Sequence, residues 1–91
     1  MINYIKNKAK ELGFNPKNDI NFILKFRKFL IKKYNIRIIA IYSYKIDKYS
    51  IIISYDSNNF IQIGGFYDSK ELALIKGVYE ACLYLNTKNV A

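Results

Sequence analysis

The sequence predicts an α+β domain of order α-α-β-β-β-α, with a three-stranded antiparallel sheet and its helices packed on one face. Three observations predict it. Apolar residues recur at helical spacing through the first third of the chain. Runs of β-branched and aromatic residues at alternating spacing follow, broken by short polar turns. A capping sequence, Asp68-Ser69-Lys70-Glu71, then opens a last helical stretch. With 91 residues the chain has room for one core, so residues 1–91 are read as a single domain.

Residues 2–12 read as a short helix, with Ile2, Ile5, Ala9 and Leu12 on one face and Asn3, Lys6 and Lys10 on another. Gly13 followed by apolar Phe14 has the form of a Schellman ending, and Asn15-Pro16 breaks the chain. Asn18 or Asp19 is placed to cap a second helix running to about Tyr34. Its broad apolar face is expected to hold Ile20, Ile23, Leu24, Leu30, Ile31 and Tyr34, with a second stripe of Phe22, Phe26 and Phe29 beside it. Arg27 falls in the apolar face and is expected to snorkel outward from its edge.

Residues 36–46 and 49–56 read as strands joined at Asp47-Lys48, a register that sets Ile46 opposite Tyr49, Tyr44 opposite Ile51 and Tyr42 opposite Ile53. One face then carries Ile36, Ile38, Ala40, Tyr42, Tyr44, Tyr49, Ile51, Ile53 and Tyr55, and is the expected core face. The other carries Arg37, Ser43, Lys45, Ser50, Ser54 and Asp56, with Ile39, Ile41 and Ile52 among them. After Ser57-Asn58-Asn59, residues 60–63 supply a third strand with Ile61 and Ile63 on the core face. Asp68 at the N-cap and Glu71 three residues on predict the start of the last helix, which runs to about Leu85 and buries Leu72, Ile75, Tyr79, Cys82 and Leu83.

Charge is distributed unevenly. Residues 1–48 hold twelve Lys/Arg against Glu11, Asp19 and Asp47, whereas residues 49–91 hold three lysines against four acids. The asymmetry points to an anionic partner. Ile, Lys, Asn and Tyr together make up 48 of the 91 residues, a bias expected of a low-GC genome, which by itself fills solvent positions with lysine. The lone Cys82 has no partner for an internal disulfide, and the longest apolar runs are far short of the ~20 residues that span a bilayer. Charges also stand where a signal peptide would place its apolar segment, so a cytoplasmic setting is expected.

The chemistry-bearing residues are few. The chain has no histidine, the commonest general base and metal ligand. Cys82 projects to the buried side of its helix, where a thiol packs rather than reacts. Asp68 and Glu71 are accounted for by capping, Asp47 by a turn, and no carboxylate pair has metal or acid–base spacing. Gly64-Gly65 matches neither phosphate-binding glycine pattern and reads as a bulge or tight turn. The expectation is therefore a protein that is not an enzyme, with no cofactor, metal, small-molecule substrate or membrane association.

Two surfaces remain as candidates. Lys25, Lys28 and Lys32 on the second helix, with Lys6 and Lys10 on the first, have the regular spacing that phosphate contacts use. The scarcity of arginine argues against base-specific readout. A protein interface is expected from surplus apolar surface: Ile39, Ile41, Ile52 and Phe60 on the outer face of the sheet, and the small-residue stripe Ala73, Gly77 and Ala81 on a side of the last helix away from its main core face. A glycine inside a helix costs about 1 kcal/mol relative to alanine, and close approach of another backbone explains its presence.

The stretch Gly65-Phe66-Tyr67-Asp68-Ser69-Lys70-Glu71-Leu72-Ala73-Leu74-Ile75-Lys76-Gly77-Val78-Tyr79-Glu80-Ala81-Cys82-Leu83-Tyr84-Leu85 resembles the closing helix of small uncharacterised proteins of bacteriophages and prophages of low-GC bacteria. That resemblance implies a phage or mobile-element source acting in a bacterial host cell. The order α-β-β-β-α over residues 19–85 is also similar to the double-stranded RNA-binding domain. Ser69-Lys70 resembles that family's Ser-Lys-Lys, although Glu71 and Leu74 stand where its phosphate-contacting lysines would be. The leading expectation is a small non-catalytic accessory protein that binds a protein, itself or a host factor. The alternative is a basic nucleic-acid-binding module contacting phosphates through the lysines of its first two helices.

Overall fold

The computed structural model describes residues 1–55 and 59–88, with the side chains of 59–63 and 88 excepted. Its elements are α1 (Ile2–Glu11), α2 (Phe22–Tyr34), β1 (Ile36–Ser43), β2 (Lys48–Tyr55), β3 (Asn59–Tyr67) and α3 (Lys70–Lys88). The strands form one antiparallel sheet in the order β1-β2-β3. Helix α3 lies across all three strands, α2 sits beside it against β1, and α1 packs on α3. The expected order and the expected one-sided layering are both present.

Helix α1 ends as its sequence predicts. Gly13 adopts φ +90°, its N–H donates to Lys10 O at 3.1 Å, and the Phe14 N–H donates to Ala9 O at 2.9 Å. These are the two bonds of a Schellman motif, and glycine supplies the left-handed residue without a Cβ penalty. Phe14 is thereby delivered onto the rings of Phe22, Phe26 and Phe29, at centroid distances of 5.6, 5.3 and 5.2 Å.

Helix α2 begins at Phe22, later than expected. The Asn18 carboxamide oxygen accepts the Ile20 N–H at 3.0 Å and closes a local turn, so it does not cap the helix. The Phe stripe faces inward: Phe26 and Leu30 are fully buried, while Ile20 and Leu24, expected on the core face, are exposed. Arg27 does not snorkel into solvent. Its Nε–H donates to Ile38 O at 2.8 Å, satisfying an acceptor on the open edge of β1.

The hairpin differs from its expected register. Tyr42 pairs with Tyr49, Ala40 with Ile51, Ile38 with Ile53 and Ile36 with Tyr55, so the connection is the four residues Tyr44–Asp47. Asp47 takes φ +52° and accepts a 2.6 Å hydrogen bond from the Tyr42 hydroxyl, which fixes the longer loop. The displacement is an even number of residues, so each side chain keeps its face. Ile36, Ile38, Ile51, Ile53 and Tyr55 are buried as expected. Tyr44 and Ile46 leave the strand, and Tyr44 at 79% exposure and Tyr42 at 48% are not core residues. Ala40, not Tyr44, stands opposite Ile51, where α3 lies close.

Helix α3 is capped by Ser69 rather than Asp68. The Ser69 Oγ accepts the Leu72 N–H at 3.1 Å, while Asp68 turns to an ion pair with Lys48. The buried face is Ala73, Leu74, Gly77, Val78, Ala81, Cys82 and Leu85, and Leu72 and Leu83 are exposed. The helix is therefore rotated from the expected orientation, for a steric reason. A Cβ on Gly77 would lie 2.5 Å from Ile38 Cγ2 and 3.0 Å from Ile51 Cγ2. The sheet presents bulky β-branched side chains, so the helix sits down on it with its small residues. Larger residues flank the contact: Tyr79 meets Tyr4 edge-on at 5.3 Å, and Tyr84 stacks on Tyr55 at 3.8 Å.

Candidate functional site

The cations of the first two helices divide into two groups. Four are engaged within the fold. Lys6 pairs with Asp19 at 2.9 Å, and half-buried Phe22 lies beneath its ammonium. Lys8 is buried and pairs with Glu11 at 3.2 Å. Lys33 donates to Leu12 O at 2.9 Å, and Arg27 is held by β1. These contacts consume both acids of residues 1–34, Glu11 and Asp19.

The second group stays in solvent. Lys10, Lys25, Lys28 and Lys32 are exposed, and no carboxylate among the described residues pairs with them. Lys25 reaches only the amide oxygen of Asn18, at 3.4 Å. Lys25, Lys28 and Lys32 border a shallow recess of about 390 Å³ floored by Phe14, Phe29 and Ile31. Lys10 and Lys6 border a neighbouring recess of about 460 Å³ on the other side of Phe14. The structure thus brings the expected lysines onto adjoining ground around one aromatic ring, with Lys6 already neutralised.

The expected apolar interface divides as well. Ile39 faces Ile52 across the β1–β2 ladder and Ile41 lies two residues further along. Ile39 is 48% and Ile41 43% exposed, and Ile52 is half-buried between the strands. Arg37 and Lys48 are the charged side chains on this face among the described residues, and Lys48 is paired with Asp68. Phe60 pairs through its backbone with Ser54, and its side chain lies outside the described residues, as do those of Ile61 and Ile63.

Ala73, Gly77 and Ala81 do not belong to an outer surface. They are the contact between α3 and its own sheet, so the close approach that Gly77 signals is made inside the chain. Sequence reasoning also missed Phe66. Between the pairs Tyr49–Tyr67 and Ile51–Ile63, β3 bulges around Gly64-Gly65, and Phe66 emerges 68% exposed on the solvent side. The two glycines before an aromatic were the available signal for it.

Among the described residues, chemistry-bearing groups do not converge. Cys82 is fully buried, and burial pushes its thiol up to about 11. Burial likewise raises Tyr55 to about 12, with the Glu80 carboxylate nearby adding to the effect. Among the described residues no group of three or more His, Cys, Asp or Glu could hold a metal ion, and no helix is long and apolar enough to cross a membrane. Gly64-Gly65 forms the bulge and not a phosphate loop. Comparison with protein-family models, curated proteins and solved structures gave no match, so the resemblances drawn above rest on the residues alone.

Proposed function

We propose that this chain is a non-catalytic binding domain that associates with a second copy of itself through the uncovered face of its sheet. The observation that carries this reading is the apolar run of exposed Ile39 and Ile41 with half-buried Ile52, on the face that no helix covers among the described residues. The choice of a second copy rests on charge. Each chain carries a net charge of +8, and copies repel wherever cationic surfaces meet. The outer sheet face, with Arg37 and the neutralised Lys48, is where that repulsion is weak. Three strands of about eight residues give a footprint of about 380 Å², roughly half the ~800 Å² per partner of a standard interface. The association through this face is accordingly weak and concentration-dependent.

Sedimentation velocity across a wide concentration range tests the reading. The expected result is a sedimentation coefficient that climbs with concentration. The variant Ile39→Thr/Ile41→Thr, which keeps the β-branched shape and removes the apolar ends, should stay monomeric at an unchanged melting temperature. A wild-type chain that is monomeric throughout, or a variant that associates equally well, overturns the proposal.

A further inference from the structure

A second surface carries an inference independent of the sheet. We propose that the solvent face of α2, Lys25, Lys28 and Lys32 with Lys10 beside them, binds the sugar–phosphate backbone of a nucleic acid. Charge is the first argument. Residues 1–34 hold nine Lys/Arg against two acids, and the fold spends both acids on Lys6 and Lys8. The remaining lysines therefore form a patch that no carboxylate of the same two helices offsets. A patch of this kind holds condensed counterions only weakly and gains by taking up a polyanion that releases its own.

Geometry is the second argument. At 1.5 Å rise per residue, Lys25, Lys28 and Lys32 fall about 4.5 and 6 Å apart along the axis, spanning about 10.5 Å. One strand of a duplex carries a charge per ~3.4 Å of axis, so the strip covers about three phosphates. Lys10, across Phe14, extends the patch sideways onto α1. Lys25, Lys28 and Lys32 share the rim of one recess with Phe14, Phe29 and Ile31.

The same residues separate a nucleic acid from the other polyanions. An amphipathic helix binds a bilayer by inserting its apolar face, and the apolar face of α2 is already committed to the core through Phe26 and Leu30. An acidic protein surface is best matched by the planar fork of arginine. Arg27 is tied to Ile38 O and Arg37 lies on the sheet, so the α2 strip is lysine alone. Lysine without arginine suits a regular row of phosphates and gives little base readout, so binding is independent of sequence.

The test is fluorescence anisotropy with labelled duplex DNA, duplex RNA and single-stranded oligonucleotides of mixed sequence, titrated against salt. Expected is binding at low salt whose log K falls with log salt at a slope of about −3 to −4 on duplex, the signature of three or four phosphates. Lys25→Gln/Lys28→Gln/Lys32→Gln should weaken binding at least about tenfold and bring the slope close to −1, since about 0.9 is lost per phosphate contact. A control, Lys45→Gln, removes an exposed charge in the Tyr44–Asp47 loop, away from the strip, and should leave the slope unchanged. Circular dichroism confirms that both variants are folded. Equal weakening in the control, an unaltered slope in the triple variant, or no binding at low salt overturns the proposal. So does preferential binding to vesicles rich in phosphatidylglycerol.

Discussion

Adding one methyl group at Gly77 tests the packing of α3 on the sheet directly. In an ordinary helix interior, Gly→Ala stabilises by about 1 kcal/mol. Here the new Cβ would lie 2.5 Å from Ile38 Cγ2 and 3.0 Å from Ile51 Cγ2, against an optimal carbon–carbon separation of roughly 3.5–4.0 Å. Neither neighbour yields easily. A Cγ2 atom is bonded to Cβ and moves only if χ1 leaves its well, and both isoleucines are fully buried. The helix must lift or the strands must shift, and overpacking of this kind costs about 1–3 kcal/mol. With two close contacts we take the upper end, which leaves a net loss of about 2 kcal/mol after the propensity gain. For a domain of this size that lowers Tm by about 8–16 °C. Gly64→Ala is the matched control, since its Cβ would meet nothing within 4 Å and its φ is not left-handed. Thermal melts of the two variants by circular dichroism decide the matter. A Gly77→Ala chain as stable as the parent, or more so, would refute the close approach.

Two further predictions concern the cap and the buried acids. Ser69→Ala should destabilise by about 1 kcal/mol through loss of the bond to the Leu72 N–H, while Asp68→Ala, which removes a solvent-exposed ion pair, should change the urea midpoint little; equal effects would mean that the cap is misassigned. Cys82 and Tyr55 hold their protons more tightly folded than unfolded, because burial disfavours the charged forms. Their contribution to stability is complete below about pH 9 and is lost as the pH rises through 9 to about 12. Denaturation midpoints that stay flat across that window would contradict the burial of both groups, as would ready alkylation of the Cys82 thiol in the folded chain at neutral pH.

Periodicity made the elements legible, and local chemistry made some of their ends legible. The Gly13-Phe14 ending is the clearest case, because its two hydrogen bonds lie within six residues and depend on one residue type. Faces with β-branched alternation were also legible, since Ile36, Ile38, Ile51 and Ile53 keep their side whatever the register. The register was not, because it depends on Tyr42 reaching Asp47 and on Ala40 leaving room beneath α3. Nor was the inner face of α3. Hydropathy favours burying Leu72 and Leu83, whereas at Gly77 the sheet comes too close for even a Cβ, and Ala73 and Ala81 are buried one turn to either side. The five lysines of the candidate strip could be read off by spacing. Removing Lys6 from the group required knowing that Asp19, thirteen residues away, folds back beside it.

The two surfaces stand on opposite sides of the molecule for one reason. The sheet spends its inner face on α3 and leaves its outer face uncovered by any helix among the described residues, while α2 spends its Phe stripe on the core and turns its lysines outward. Packing thus sorts an almost uncharged apolar surface to the sheet side and most of the excess positive charge to the helical side. Two chains meeting sheet to sheet would hold their lysine strips apart, on the outer flanks of the pair, where cationic repulsion between them is least. Each strip would then remain open to its own length of backbone, and the second contact would gain from the effective concentration set by the first. A weak sheet contact and a weak phosphate contact are individually modest in area and charge. Placed on opposite faces of the same two layers, the two proposed contacts would be compatible, and occupancy of one would favour the other.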